Sequence, residues 1–109
     1  MDRAVFVYTT FPTLVEAEAA ARAIVGQRQA ACANILPGMI SHYSWEGQMQ
    51  RGEEVAMILK TRASLAEAVR LAIRKHHSYE TPAIAVIALE SVDADFFGWI
   101  LAQTRAGQP

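Results

Sequence analysis

One stretch limits this chain more than any other. Ala30 to Glu46 reads as a single long strand, interrupted only at Pro37-Gly38. At about 3.3 Å per residue, its ~16 residues span roughly 50 Å. A compact domain of 109 residues has a diameter of only about 35 Å. The strand and its hairpin partner should therefore overhang their own core. Proline cannot donate to a ladder, so this strand belongs at a sheet edge or carries a bulge. Past the break, Tyr43 and Trp45 alternate with His42 and Ser44, the period of a strand. Trp45-Glu46-Gly47-Gln48 reads as the turn, and Gly52 as a second flexible point. Met39, Ile40, Tyr43, Trp45 and Met49 ride on the overhang. An exposed ribbon of that character aggregates unless something covers it. Another copy of the chain is the simplest cover, so a closed homo-oligomer is expected; a monomer with a shorter, bent hairpin is the alternative.

The remaining elements follow from pattern and caps. Ala4–Tyr8 is a short apolar run and reads as a buried strand ended by Thr9-Thr10-Phe11-Pro12. Thr13 with Glu16 makes a capping-box pattern ahead of an Ala-rich helix to Arg28, with Leu14, Ala17, Ala21, Ile24 and Val25 on one face. Glu54–Thr61 is the third strand. Ser64 with Glu67 repeats the capping box, and Leu65, Ala68, Val69, Ala72 and Ile73 keep helical spacing. Arg74, Lys75, His76 and His77 close that helix with positive charge, before Pro82 forbids continuation. Ala83–Leu89 is a fourth strand, and Asp93 caps a last helix bearing Phe96, Phe97, Ile100 and Leu101; the tail from Arg105 has no pattern. The order β-α-β-β-α-β plus a helix is the α+β, ferredoxin-like split βαβ plan, with an antiparallel sheet and two helices on one face. No boundary divides the chain, so residues 1–109 form one domain.

Composition narrows the function. Hydrophobic residues are 52% and charged residues 19%, the reverse of a disordered chain. A net charge of −1 lacks the basic excess that nucleic-acid binding needs. The longest apolar run, about seven residues, falls well short of the ~20 of a membrane span. With a single cysteine, Cys32, and a strand beginning almost at Met1, a cytoplasmic protein without signal peptide is expected.

Several motifs, in order from about Val5 to Leu101, together resemble one family. Ala30-Ala31-Cys32-Ala33-Asn34-Ile35-Leu36-Pro37-Gly38 is similar to the second-strand signature of the CutA divalent-cation tolerance proteins. Tyr43-Ser44-Trp45-Glu46-Gly47 resembles that family's hairpin, Glu54 to Thr61 its third strand, His77-Ser78-Tyr79-Glu80-Thr81-Pro82 its His-x-Tyr-x-x-Pro segment, and Asp95, Phe96, Trp99 and Ile100 its final helix. The resemblance implies a trimer with long hairpins packed between subunits, a relative in shape of the PII signal proteins, association with copper and other divalent metals, and no catalytic activity. Two positions depart from the pattern. Ala83 stands where the family often has glutamate, and Tyr8 where the copper-binding member has cysteine; a phenol does not replace a soft thiolate for Cu(I).

His76, His77 and Cys32 are the metal candidates, because neutral imidazole and thiolate suit copper and zinc. Against this, neighbouring helical residues point about 100° apart. The histidines could instead cap the helix, and Cys32 could be a small buried hydrophobe. Tyr43, Trp45, Glu54, Lys60 and Tyr79, with His77, are candidates for an inter-subunit cleft, where interface packing and salt bridging between subunits compete with a small-ligand site. Glu54 and Lys60, six residues apart on one strand, share a face. His42 reads as an outward polar residue. Acylphosphatases share this plan but need an arginine-bearing phosphate loop after the first strand, and RNA readers need aromatics on the third strand; this chain has neither. A metal-binding trimer in metal tolerance is expected, not an enzyme. The alternative is a PII-like regulatory trimer binding a small anionic ligand or a partner protein at its clefts.

Overall fold

The computed structural model describes residues 2–106. In chain order these form β1 (Ala4–Phe11), α1 (Leu14–Gly26), β2 (Cys32–Trp45), β3 (Gln48–Arg62), a 3₁₀ turn (Ala63–Leu65), α2 (Ala66–His76), β4 (Ile84–Ala88) and α3 (Ala94–Gln103). One antiparallel sheet runs β2-β3-β1-β4, the ferredoxin-like order.

Register fixes which side chains share a face. Val7 lies opposite Leu59 and Val86, Thr9 opposite Met57 and Ile84, and Phe11 opposite Val55. Val7, Phe11, Val55, Met57 and Leu59 face α1 and α2 and build the core with Ala17, Ala20, Ile24, Val69 and Ile73, and Ile84 packs against it, while Val86 stays exposed. Small alanines on α1 let the helix lie close to the sheet. The alternate residues (Phe6, Tyr8, Ile58 and Lys60) face the other way. There α3 packs at one end through Ile100 and through Phe96, whose ring Lys60 meets at 5.5 Å.

Several expectations change. The first strand continues to Phe11 because Thr9 and Thr10 pair with β3. The third strand begins at Gln48, six residues before Glu54, and Gly52 is a paired strand residue under the Tyr43 ring, not a flexible point. Leu14, expected to be inward, is 43% exposed. The first helix stops at Gly26. Arg28 and Gln29 donate back to Val25 and Ile24, a Schellman closure. Its left-handed position, φ 60, holds arginine and not glycine. The reason is tertiary: the Arg28 guanidinium donates to the carbonyls of Ala102 and Gln103, satisfying the last turn of α3. Ser64 does not cap α2. It donates its N–H and hydroxyl to Asp2, while Glu67 pairs with Arg70. Asp93 occupies the N-cap position of α3, but its side chain accepts no capping bond.

The interruption at Pro37-Gly38 sits on the edge strand as a bulge between Leu36 and Met39, with Gly38 at φ 79. Beyond it, residues 39–45 and 48–54 pair only with each other, because β1 ends opposite Val55. Glu46 and Gly47, both at positive φ, close the ribbon in the two-residue turn that matches strand twist. The molecule measures 45 × 27 × 25 Å, longer in one direction than a compact domain of this size.

Candidate functional site

The ribbon leaves the core where β1 stops, and the segment after α2 crosses that point. The basic last turn of α2 suits the helix dipole. His77, the residue after the helix, turns extended and buries its ring. The ring stacks on Phe11 at 4.5 Å between centroids and tilts against Tyr79 at 5.0 Å. Its Nε2 lies 2.6 Å from the Thr10 carbonyl oxygen, which can only accept, so Nε2 carries the proton. Nδ1 accepts the Tyr79 N–H at 3.1 Å. His77 is therefore a neutral imidazole with both nitrogens engaged.

Glu16 anchors the same segment. Thr13 accepts the Glu16 N–H, half of the expected capping box. The Glu16 carboxylate turns instead to Ser78, accepting its backbone N–H at 2.5 Å and its hydroxyl at 3.1 Å. Glu16 Oε1 also lies 3.9 Å from His77 Nδ1. Burial, followed by the carboxylate of Glu54, the neighbouring Tyr43 and the carboxylate of Glu16, holds the Tyr79 phenol above its usual range. Tyr79 thus joins His77 at the root of the ribbon, with Glu54 and Tyr43 within electrostatic reach of its phenol. Glu16, Thr10 and Ser78 belong with them and were missed. The Thr-x-x-Glu pattern pointed to Glu16, but only as a helix cap. Tyr8 braces the same root, donating to the Met39 sulfur at 3.8 Å.

Other candidates lie elsewhere. Trp45 sits at the ribbon tip, 63% exposed. Lys60 lies six residues from Glu54 along β3, roughly 20 Å, between the rings of Phe6 and Phe96. Cys32 is half-buried on the edge strand opposite Lys60. His76 lines a shallow groove of about 310 Å³ between α1 and α2, with Gln27, Leu71 and Lys75. The three metal candidates are thus not brought together within one chain. Among the described residues no three of His, Cys, Asp and Glu converge as a metal cage. No described helix is long and apolar enough to cross a membrane.

Comparison with known proteins agrees with this architecture. The family model described as "CutA1 divalent ion tolerance protein" matches residues 5–103. The divalent-cation tolerance protein CutA of Citrobacter koseri is 38% identical over 105 residues, 96% of this chain and 91% of that protein. The crystal structure of CutA1 from Ehrlichia chaffeensis superposes with a TM-score of 0.92 at 32% identity, covering 97% of this chain and 99% of that one. A CutA structure from Archaeoglobus fulgidus, named a periplasmic divalent cation tolerance protein, gives 0.88 at 39% identity, covering 93% and 98%. With the ferredoxin-like sheet, the overhanging ribbon and the His77–Tyr79 segment all in place, this chain belongs to the CutA1 divalent ion tolerance family.

Proposed function

We propose that the chain acts in divalent-metal tolerance as a homotrimer that binds metal as cargo, copper foremost, in the cytoplasm. One observation carries the assembly. The ribbon exposes Ile40 at 53%, Trp45 at 63% and Met49 at 76%, with Tyr43 and Leu36 beside them. So much apolar area on one two-stranded extension is an interface waiting for its cover. Three copies that clasp each other's ribbons close the arrangement, and this makes the ribbon root, with Tyr43, Glu54 and Tyr79, an inter-subunit cleft.

The metal reading rests on family membership and on donor chemistry. Among the described residues the donors of one chain form no metal cage, so a cargo ion would be held by sets completed between subunits, from His76, His77 and Cys32. Cytoplasmic placement rests on Cys32 as the lone, unbridged cysteine.

Sedimentation equilibrium of the purified chain tests assembly. A particle near three times 12.0 kDa is expected, and a monomer at micromolar concentration refutes it. Calorimetric titration with Cu²⁺ and Zn²⁺ tests the cargo. The His76→Ala/His77→Gln double variant, checked for folding by circular dichroism, should lose binding, and Cys32→Ser should weaken copper more than zinc. Unchanged affinity in both variants removes these residues as ligands. Cell fractionation tests the compartment.

A further inference from the structure

The groove between α1 and α2 takes no part in the ribbon or its root. Its volume, about 310 Å³, lies at the lower end of small-molecule sites. Ile24 is buried at its floor, Ala23 and Ala72 line its sides, and Leu71, 57% exposed, forms an apolar wall. The remaining lining is polar and falls at two ends. Each helix runs back against the strand before it, and β1 is antiparallel to β3, so α1 and α2 run in opposite directions. Gln27 and Gln29, at the close of α1, therefore lie by the start of α2. The Thr61 hydroxyl, just ahead of that start, donates to the Gln29 carbonyl at 2.6 Å. Lys75 and His76 line the other end, about 12 Å of helix beyond Ala68.

These four polar side chains are unspent. Among the described residues none of them has a hydrogen-bond or ion-pair partner. The one carboxylate of α2, Glu67, is held by Arg70, and no acidic side chain lines the groove. Its only charged chemistry is therefore cationic, next to an apolar floor and two amides. That pattern complements an anion carried on an apolar body. The last carbonyls of α2 put partial negative charge near Lys75, so the helix itself does not attract the anion. The ammonium has to, and His76 adds a ring N–H.

We propose that this groove binds a small organic monocarboxylate. The carboxylate sits on Lys75 and His76, the apolar body lies over Ala72 against Leu71, and Gln27 and Gln29 hydrogen-bond a polar group at the far end. Every one of these residues comes from one chain, so the site needs neither the assembly nor the cleft proposed above. It lies on the helix side of the sheet, where each copy would carry its own groove. A shallow site with one fixed charge binds weakly, so the carboxylate is tested at millimolar concentration.

Hydrocinnamate serves as the probe, titrated into isotope-labelled protein in buffer containing a metal chelator and followed by amide NMR. Saturable shifts are expected at Ala23, Gln27, Ala72 and Lys75, with Trp45 and Met49 unmoved. Its uncharged analogue, hydrocinnamamide, should bind about tenfold more weakly, the worth of a charge-assisted hydrogen bond. Lys75→Glu should lose at least as much affinity, Lys75→Arg should keep most of it, and Ala72→Leu should fill the groove and block the probe. Lys75 is exposed, so its variants keep the fold, which the dispersion of the same spectra checks. No saturable shift at these amides, equal binding of hydrocinnamamide, or undiminished affinity in Lys75→Glu or Ala72→Leu overturns the proposal. So does binding seen only without chelator, which would make the carboxylate a ligand of a metal on His76.

Discussion

β3 passes through two environments in a single strand. From Val55 to Thr61, it runs between β1 and β2 and buries Val55, Met57, Leu59 and Thr61 under two helices. From Gln48 to Glu54 it has one neighbour, no helix above it and almost every side chain in solvent. Backbone geometry is the same in both halves, and only the cover differs. The inner half is stabilised by its own chain. The outer half keeps its ladder through β2 and a well-formed turn, yet a lone two-stranded ribbon is marginal in water. Stability and assembly are thus assigned to different ends of one element.

Substitutions can break that division. The largest effect belongs to the core. Leu59→Ala leaves a cavity beneath α1 and α2 and should lower unfolding free energy by about 3 kcal/mol, read from denaturant midpoints. Met49→Ala in unassembled chain should change it by less than about 0.5 kcal/mol. Comparable losses at both would erase the distinction. Next comes association. Trp45→Ala removes an exposed aromatic at the ribbon tip and should cost about 2 kcal/mol of assembly. That is roughly a thirtyfold weaker trimer by dilution sedimentation, with the monomer's secondary structure intact.

A smaller effect sharpens the core side. Thr9 Oγ1 is buried and has no hydrogen-bond partner. Thr9→Val keeps the shape and removes the orphaned hydroxyl, so thermal unfolding should show about 1 kcal/mol of added stability.

The smallest effect is electrostatic. Burial opposes ionisation of Asp2, but hydrogen bonds from Ser64 and Arg3 and the charge of Arg62 outweigh it and depress its carboxyl pKa. A depressed folded pKa gives stability that is present above the unfolded value and lost as pH falls through the folded one. Acid titration of stability should therefore lose a contribution below about pH 4, and Asp2→Asn should flatten that part of the curve while leaving the ribbon untouched.

Much of this was legible in residues alone. Period-two and period-3.6 patterns gave the order of strands and helices, Pro37-Gly38 marked an edge strand with a bulge, and strand length against domain size gave the overhang. The cleft was legible in part. The Tyr-x-Trp-Glu-Gly, third-strand and His-x-Tyr-x-x-Pro segments pointed to Tyr43, Glu54, His77 and Tyr79; of these His77 and Tyr79 pack together, and Glu54 and Tyr43 lie within electrostatic reach of Tyr79, whereas His76, Cys32 and Lys60 lie apart. Local capping rules failed at Ser64 and Asp93 because a tertiary partner, or none, stood where a local one was expected.

Periodicity and chain length act through near neighbours and total volume, so the sequence by itself determined the element order, the buried faces and an extension too long for one core. Pairing across 60 or more residues depends on where the folded chain returns. Only the tertiary structure could decide that Glu16 holds Ser78, that Thr10 fixes the protonated nitrogen of His77, and that Arg28 accepts a strained backbone to close the end of α3.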